Sequence, residues 1–242
     1  MRTEKSNTGK IDIVDFHAHV LPKADHGSNS VKQSISQLKI AKKAGVTRII
    51  ATPHFYPHRH SVSSFLKRRK ASYAALIGSG AITPDMPEIR LGAEVLLFEN
   101  IDKMPDLKML CIEGTNYLLL ELPFADLTDE HVETAAKIMQ LGITVVIAHA
   151  DRYDREWVEK FIKIGALIQL NADAFTFIRK RPHLLNWVDA RLVVGLGSDI
   201  HGPRRRFYNN FVNAQKKIGE SLSLIVKFSD KIWEESKALS LK

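Results

Sequence analysis

Six of the chain's ten histidines, with two glutamates and an aspartate, fall where short apolar runs come to an end. They are His17 and His19, His26 in Asp25-His26-Gly27, His54 in Thr52-Pro53-His54, Glu94, Glu121, His149, and the pair Asp199 and His201 in Ser198-Asp199-Ile200-His201. Residues two apart on an extended segment point to the same side, so His17 with His19, and Asp199 with His201, can each grip one ion. Imidazole nitrogen and carboxylate oxygen without thiolate suit manganese, iron, zinc or cobalt, rather than a structural zinc or a calcium loop. These groups outnumber the roughly four to six ligands of one ion, which points to two or three ions. Any one of these histidines alone reads better as a hydrogen-bonded core or surface residue. Gathered in one place they would bury several ionisable groups without partners, a costly state unless cations neutralise them.

A fold that brings residue 17 next to residue 201 is therefore required. Seven β-branched or Leu-rich runs, near residues 11–16, 48–52, 89–95, 117–122, 144–149, 167–172 and 192–198, are almost continuously apolar, as strands covered on both faces are. Helical patterns lie between them: Val31, Ile35, Leu38 and Ala41 before Gly45; Val132, Ala135, Ala136 and Met139 before Gly142; Trp157, Val158, Phe161 and Ile162 before Gly165. Each such glycine suits a left-handed helix cap. Strand-then-helix units of this kind predict an α/β fold, a distorted seven-stranded TIM-like (β/α)7 barrel, with an open doubly wound sheet as the alternative. In a barrel all the strand ends meet on one rim. No G-x-G-x-x-G follows the first strand, which removes the main support for a dinucleotide site.

The expected organisation is a polar lead-in over residues 1–10 and one domain over residues 11–242. With 35 Lys+Arg against 27 Asp+Glu the formal charge is +8, and 45% hydrophobic with 26% charged residues argues against a disordered, collagenous or membrane-embedded chain. No run reaches the roughly 18 apolar residues of a membrane helix, and residues 1–10 lack the apolar stretch of a secretory signal, so a cytoplasmic setting is expected. The single cysteine, Cys111, fits a reducing compartment. It also excludes cysteine-based phosphatase chemistry, because the arginine needed six residues on is Tyr117.

The order of motifs, D-x-H-x-H, T-P-H, G-x-E, E-L-P, A-H-x-x-R-Y and S-D-x-H, resembles the polymerase-and-histidinol-phosphatase (PHP) superfamily of metal-dependent phosphoesterases, over residues 12 to about 206. Within it the chain is most similar to the bacterial capsule-locus protein tyrosine phosphatases of the CpsB type. The resemblance implies three metal sites, commonly manganese, with iron, zinc, cobalt or magnesium as alternatives, and a substrate that is phosphotyrosine on a bacterial tyrosine autokinase in capsule or exopolysaccharide regulation. Carried over, His17, His19, Glu94 and Asp199 hold the first ion, and Glu94 bridges to a second on Glu121 and His149. His26, His54 and His201 hold the third. The chain departs from the pattern at Asp25-His26, where close relatives carry an acidic pair, and at Phe55, where they carry a second histidine. Whether Asp25 or His26 is the ligand stays open at this point.

The resemblance also assigns phosphate binding to Arg152 and Arg206, whose planar forks suit phosphate, and leaves His201 as a candidate proton donor. Water held between the first two ions would be the nucleophile. His58 and His60 are candidate substrate contacts, while His131 and His183 read as surface residues. Histidinol phosphatase and exonuclease activity share the metal site and remain alternatives. An amidohydrolase would offer a modified lysine where this chain has Glu121. A non-enzymatic basic module, suggested by residues 67–70 and 179–181, lacks interleaved aromatics.

Overall fold

Apolar runs with no polar face can be buried only between layers, and here they pair in parallel throughout one sheet. A computed structural model describes residues 13–124 and 126–236, except for the side chains of 177–180; the expected lead-in over residues 1–10 lies outside this range. Strand β1 (Val14–Ala18) leads through helix α1 (Val31–Ala44) to β2 (Arg48–Ala51) and β3 (His54–Phe55). Helix α2 (Val62–Ile77) follows, then β4 (Glu88–Leu91), β5 (Glu94–Leu96) and β6 (Tyr117–Glu121). From there strands and helices alternate: α3 (Asp129–Gln140), β7 (Thr144–Ile147), α4 (Arg155–Lys163), β8 (Leu167–Asn171), α5 (His183–Asp189), β9 (Val193–Gly197), α6 (Arg206–Ile218) and α7 (Leu222–Glu235). Gly45, Gly142 and Gly165 take positive φ at or just past the ends of α1, α3 and α4, as their positions require.

The sheet order is β3-β5-β6-β7-β8-β9-β1-β2-β4. Nine strands therefore replace the seven expected. A short one, β3, forms past the end of the expected run 48–52, beyond Thr52-Pro53, where proline cannot donate to a ladder. The expected run 89–95 parts at Gly92-Ala93, between β4 and β5. Single hydrogen bonds carry the pairing across both gaps, from Gly92 N to Ala51 O at 2.8 Å and from Glu94 N to Pro53 O at 3.1 Å. The sheet curls accordingly, since its two outermost strands belong to neighbouring stretches of chain. The carbonyl freed at Gly92 accepts from Arg69 Nη1 at 2.7 Å, while Nη2 of the same guanidinium reaches Glu113 at 2.7 Å. Arg69, a member of the basic run, is thus buried and structural rather than part of a solvated face.

Strand parity sorts the core into two faces. Val14, Phe16, Ile50, Leu119, Val146 and Val194 pack together on the concave side with Ile232 and Trp233 of α7. Ile49, Leu118, Leu120, Val145, Ile147 and Ile168 face outward onto helix residues such as Leu38, Phe65, Ile138 and Phe161. Trp233 lies under the guanidinium groups of Arg48 and Arg90, at 5.7 and 4.7 Å, at the strand starts. Helix α7 thereby covers the N-terminal end of the sheet and leaves the C-terminal ends for a site. No helix among the described residues is long and apolar enough to cross a membrane.

Candidate metal centre

The irregularity in β1 between Asp15 and Ala18 is the first device that builds the site. Phe16 belongs to the concave cluster, yet the next residue, His17, also faces inward. Asp15 turns the other way and accepts from Ser198 N, Ser198 Oγ and Tyr208 OH at 2.6–2.8 Å, tying β1 to the end of β9 and to α6. Burial pushes the Asp15 carboxyl up to about 6 against these hydrogen bonds. Glycines make room: a Cβ on Gly197 would meet His17 Cβ at 2.7 Å, and one on Gly27 would meet His19 Cβ at 2.1 Å.

At the centre, His17 Nε2 and His19 Nε2 are 3.0 Å apart and lie 3.1 and 3.2 Å from Glu94 Oε2. Asp199 Oδ1 stands 3.8 and 3.4 Å from the same two nitrogens. Glu94 Oε2 also faces His54 Nδ1 at 3.0 Å, while its other oxygen, Oε1, faces His149 Nε2 at 2.8 Å. Glu121 approaches His54 Nδ1 at 3.6 Å and His149 Nε2 at 3.8 Å. Ligand atoms come together in three tight groups: His17, His19 and Glu94; His54, Glu94 and Glu121; His19, His54 and His201. Two ligand positions need unusual backbone, His149 at φ 32° and Asp199 at φ 49°, both left-handed and just past strand ends. Such strain persists where the surroundings hold it, typically at functional sites.

The outer atoms settle which nitrogens face inward. His17 Nδ1 lies 3.1 Å from Gln169 Oε1, an oxygen that also accepts from His149 N at 2.7 Å. His19 Nδ1 lies 2.6 Å from Asp25 Oδ2, which also accepts from His54 N at 3.0 Å. An amide oxygen and a carboxylate accept only, so both Nδ1 atoms carry the protons and both Nε2 atoms turn lone pairs toward Glu94. Two imidazole lone pairs and a carboxylate at such spacing repel unless a cation or protons sit between them. Burial opposes charge on His17, but Glu94 and Asp199 raise its pKa, and Asp25, Asp199 and Glu94 raise that of His19 further. Glu94 and Asp199 are held well below the usual carboxylate range by the histidines, despite burial.

A divalent ion with ligands at about 2.1 Å separates neighbouring ligand atoms by about 3.0 Å in octahedral geometry, which the central distances match. His54 Nδ1 and Glu94 Oε2 make no hydrogen bond despite facing one another, and His149 Nδ1 and His201 Nε2 also lack hydrogen-bond partners. Orphaned buried donors and acceptors are rare in proteins, and His54 Nδ1 and Glu94 Oε2 are two that face each other within the cluster. The donor set fits divalent cations.

The capsular polysaccharide synthesis CpsB/CapC family model covers residues 13–227. The chain belongs to the CpsB/CapC family. Among its relatives are tyrosine-protein phosphatase YwqE of Bacillus subtilis, 27% identical over 81% of this chain and 80% of YwqE, and tyrosine-protein phosphatase CpsB of Streptococcus pneumoniae, 24% identical over 78% and 83%. A crystal structure from work on YwqE and CpsB, described there as unique metal-dependent tyrosine phosphatases, superposes with a TM-score of 0.72 at 21% identity, covering 94% of this chain and 96% of that one. That likeness establishes the shared CpsB/CapC fold.

Of the residues expected at the site, His17, His19, His54, Glu94, Glu121, His149, Asp199 and His201 converge, and Arg152 joins them through a hydrogen bond to Asp199 Oδ2. His54, Glu94, Glu121, His149, Asp199, His201 and Arg152 line a cavity of about 210 Å³ with His26, Tyr56 and Phe124, while His17 and His19 are fully buried. His26 stands outside the three tight groups; its exposed ring stacks on that of His54, centroids 4.9 Å apart, and lies tilted against that of His201 at 4.6 Å. Asp25 is the partner of His19 Nδ1 and Gly27 N, so its oxygens point outward from the cluster. Arg206 is exposed at the start of α6 and lies over the ring of Phe207, away from the cavity lining. His131 caps α3 through Thr128, and His183 packs edge-on to Trp187. The hydrogen-bonding roles of Gln169 and Asn171 went unread in the sequence. The signal was present: amides at alternate positions of the apolar run L-I-Q-L-N share one face, and Asn171 Nδ2 indeed donates to Asp199 Oδ2 at 3.2 Å.

Proposed function

We propose that this chain is a metal-dependent protein-tyrosine phosphatase acting on a phosphorylated bacterial tyrosine autokinase, in a cytoplasmic setting where Cys111 stays reduced. The observation that carries the reading is the pair of lone-pair-bearing Nε2 atoms, on His17 and His19, 3.0 Å apart against Glu94. His17, His19, Glu94 and Asp199 would hold one divalent ion, and Glu94, Glu121 and His149 a second, with manganese the first candidate. His54 and His201 offer ligands to a third, with His26 beside them. The two broken strands then belong to a distorted seven-unit barrel whose rim is the site.

Bound divalent ions would polarise the phosphoryl oxygens and acidify water enough for it to attack phosphorus at neutral pH. Glu94 is placed to serve two groups at once, because Oε2 faces His17, His19 and His54 while Oε1 faces His149. Arg152, anchored on Asp199 and partly exposed, offers its remaining donors to the phosphoryl group as a planar fork. His201 sits in the His19–His54–His201 group, so its role is read as ligation rather than proton donation. A phenolate leaves more readily than an alkoxide, so tyrosyl esters tolerate the lack of a strong acid. The cavity, about 210 Å³, is smaller than the roughly 300 Å³ at which small-ligand pockets begin, which suits one group on the end of a longer chain.

Elemental analysis paired with kinetics on a phosphotyrosyl peptide, histidinol phosphate and single-stranded DNA tests the reading. The peptide should be hydrolysed fastest, chelation should abolish the rate, and manganese should restore it. Full activity in a metal-free preparation would overturn the proposal, as would a metal-loaded His17→Ala or Glu94→Ala protein that kept most of the rate. A preference for histidinol phosphate would leave the metal centre in place but change the substrate.

A further inference from the structure

Phe124 is 80% exposed, well above Met109 at 55% and Leu141 at 52%, and it lines the metal-site cavity. It follows Glu121-Leu122-Pro123 directly, and the backbone there is pinned: Tyr153 OH donates to Leu122 O and accepts from Leu122 N, both at 3.1 Å. Phe124 is thus held out at the rim by a built contact and a proline. Elsewhere on the cavity wall, Tyr56 lies parallel to the ring of His54, at 5.2 Å and 15°. Beyond it the aromatic surface continues through His58 to Phe98, itself 42% exposed.

Resting on the phosphatase reading above, we propose that Tyr56 and Phe124 form the walls of an aromatic slot that takes the phenyl ring of phosphotyrosine and so selects aryl over alkyl phosphate esters. The geometry of the substrate agrees. Ligand side chains that line the cavity are buried, with Glu94 and His149 at 1% exposure. A phosphotyrosyl phosphorus lies a full ring's length farther from its backbone than a phosphoseryl one, so the aryl ester brings phosphorus to buried ligands with its peptide held farther out. Arg152 lines the same cavity and supplies the positive charge toward which the phosphate end points. Tyr56 acts here as a surface, its ring set parallel to that of His54 on the cavity wall. Ring-on-ring contacts contribute enough to change affinity by up to about tenfold each.

Binding of phenylphosphonate and methylphosphonate to the manganese-loaded protein, measured by calorimetry, tests the slot without turnover. Phenylphosphonate should bind at least about tenfold more tightly, and Phe124→Ala should bring the ratio toward one. Tyr56→Leu should do the same, whereas Tyr56→Phe should retain the ratio because the ring is kept. A wild-type ratio near one, or a ratio that Phe124→Ala and Tyr56→Leu both leave untouched, overturns the slot and leaves the phosphatase reading standing. Failure of both phosphonates to bind overturns the phosphate site and the slot with it.

Discussion

A histidine presents a lone pair to a metal only when its other nitrogen gives its proton elsewhere, and two accepting side chains do that work here. Asp25 receives from His19 Nδ1 at 2.6 Å and from Gly27 N at 2.8 Å. In Asp25→Asn the amide either turns its NH₂ toward Nδ1, shifting the ring proton to Nε2, or gives up one of the backbone donors. We expect metal affinity to fall about 10–100-fold, read by competition with a chromophoric chelator. Unchanged affinity would show that the tautomer of His19 is set by something else. Gln169→Leu should behave alike, because it removes the acceptor of His17 Nδ1. The ligands themselves were legible in the sequence, since histidines and acids at strand ends announce their chemistry by type. Asp25 was not separable from His26, because the difference between holding an ion and holding a ligand depends on which way a carboxylate turns. Arg206 was placed by resemblance, and at the start of α6 its guanidinium lies over the ring of Phe207.

The seven apolar runs and the helices α1, α3 and α4 followed from periodicity, but α2, α5, α6 and α7 and the two breaks that bend the sheet did not. The run I-R-L-G-A-E-V is apolar enough to read as one strand, and only the lost pairing at Gly92-Ala93 separates β4 from β5. That break matters because Glu94 is the first residue after it. Arg69, 3% exposed, is the side chain that meets the freed Gly92 carbonyl. Arg69→Met keeps the length but leaves that carbonyl and Glu113 without their donor, and should destabilise the fold by about 3 kcal/mol in urea melts. A loss below about 1 kcal/mol would mean that water replaces the guanidinium. Gly197→Ala works on the other side of the site. Its Cβ would lie 2.6 Å from Gln169 Nε2 and 2.7 Å from His17 Cβ, so β1 and β9 must separate or His17 must turn away. We expect metal binding to be lost while far-ultraviolet circular dichroism stays that of an α/β protein. Retained stoichiometric binding would show that the strands can yield without moving the ligand.

At the scale of the whole molecule, the candidate ligands belong to β1, β3, β5 and β6 and to the segments that follow β1, β7 and β9. An ion there joins residues from position 17 to position 201, so it closes much of the sheet at its C-terminal end, opposite α7. Because the unfolded chain offers no such cluster, binding stabilises the folded state by RT ln(1 + [L]/Kd), about 2.7 kcal/mol when free metal is a hundredfold above Kd. Melting should therefore rise with manganese concentration, and loss of the metal should coincide with loss of the fold in one transition. The alternative is a site carried on loops alone. In that case metal release, followed by the spectrum of a cobalt-substituted protein, would precede unfolding followed by circular dichroism at a distinctly lower temperature. The buried tie from Asp15 to Ser198 and Tyr208 argues for coincidence, because it locks β1 to β9 and α6 directly beneath the ligands, and the site cannot open without parting those strands.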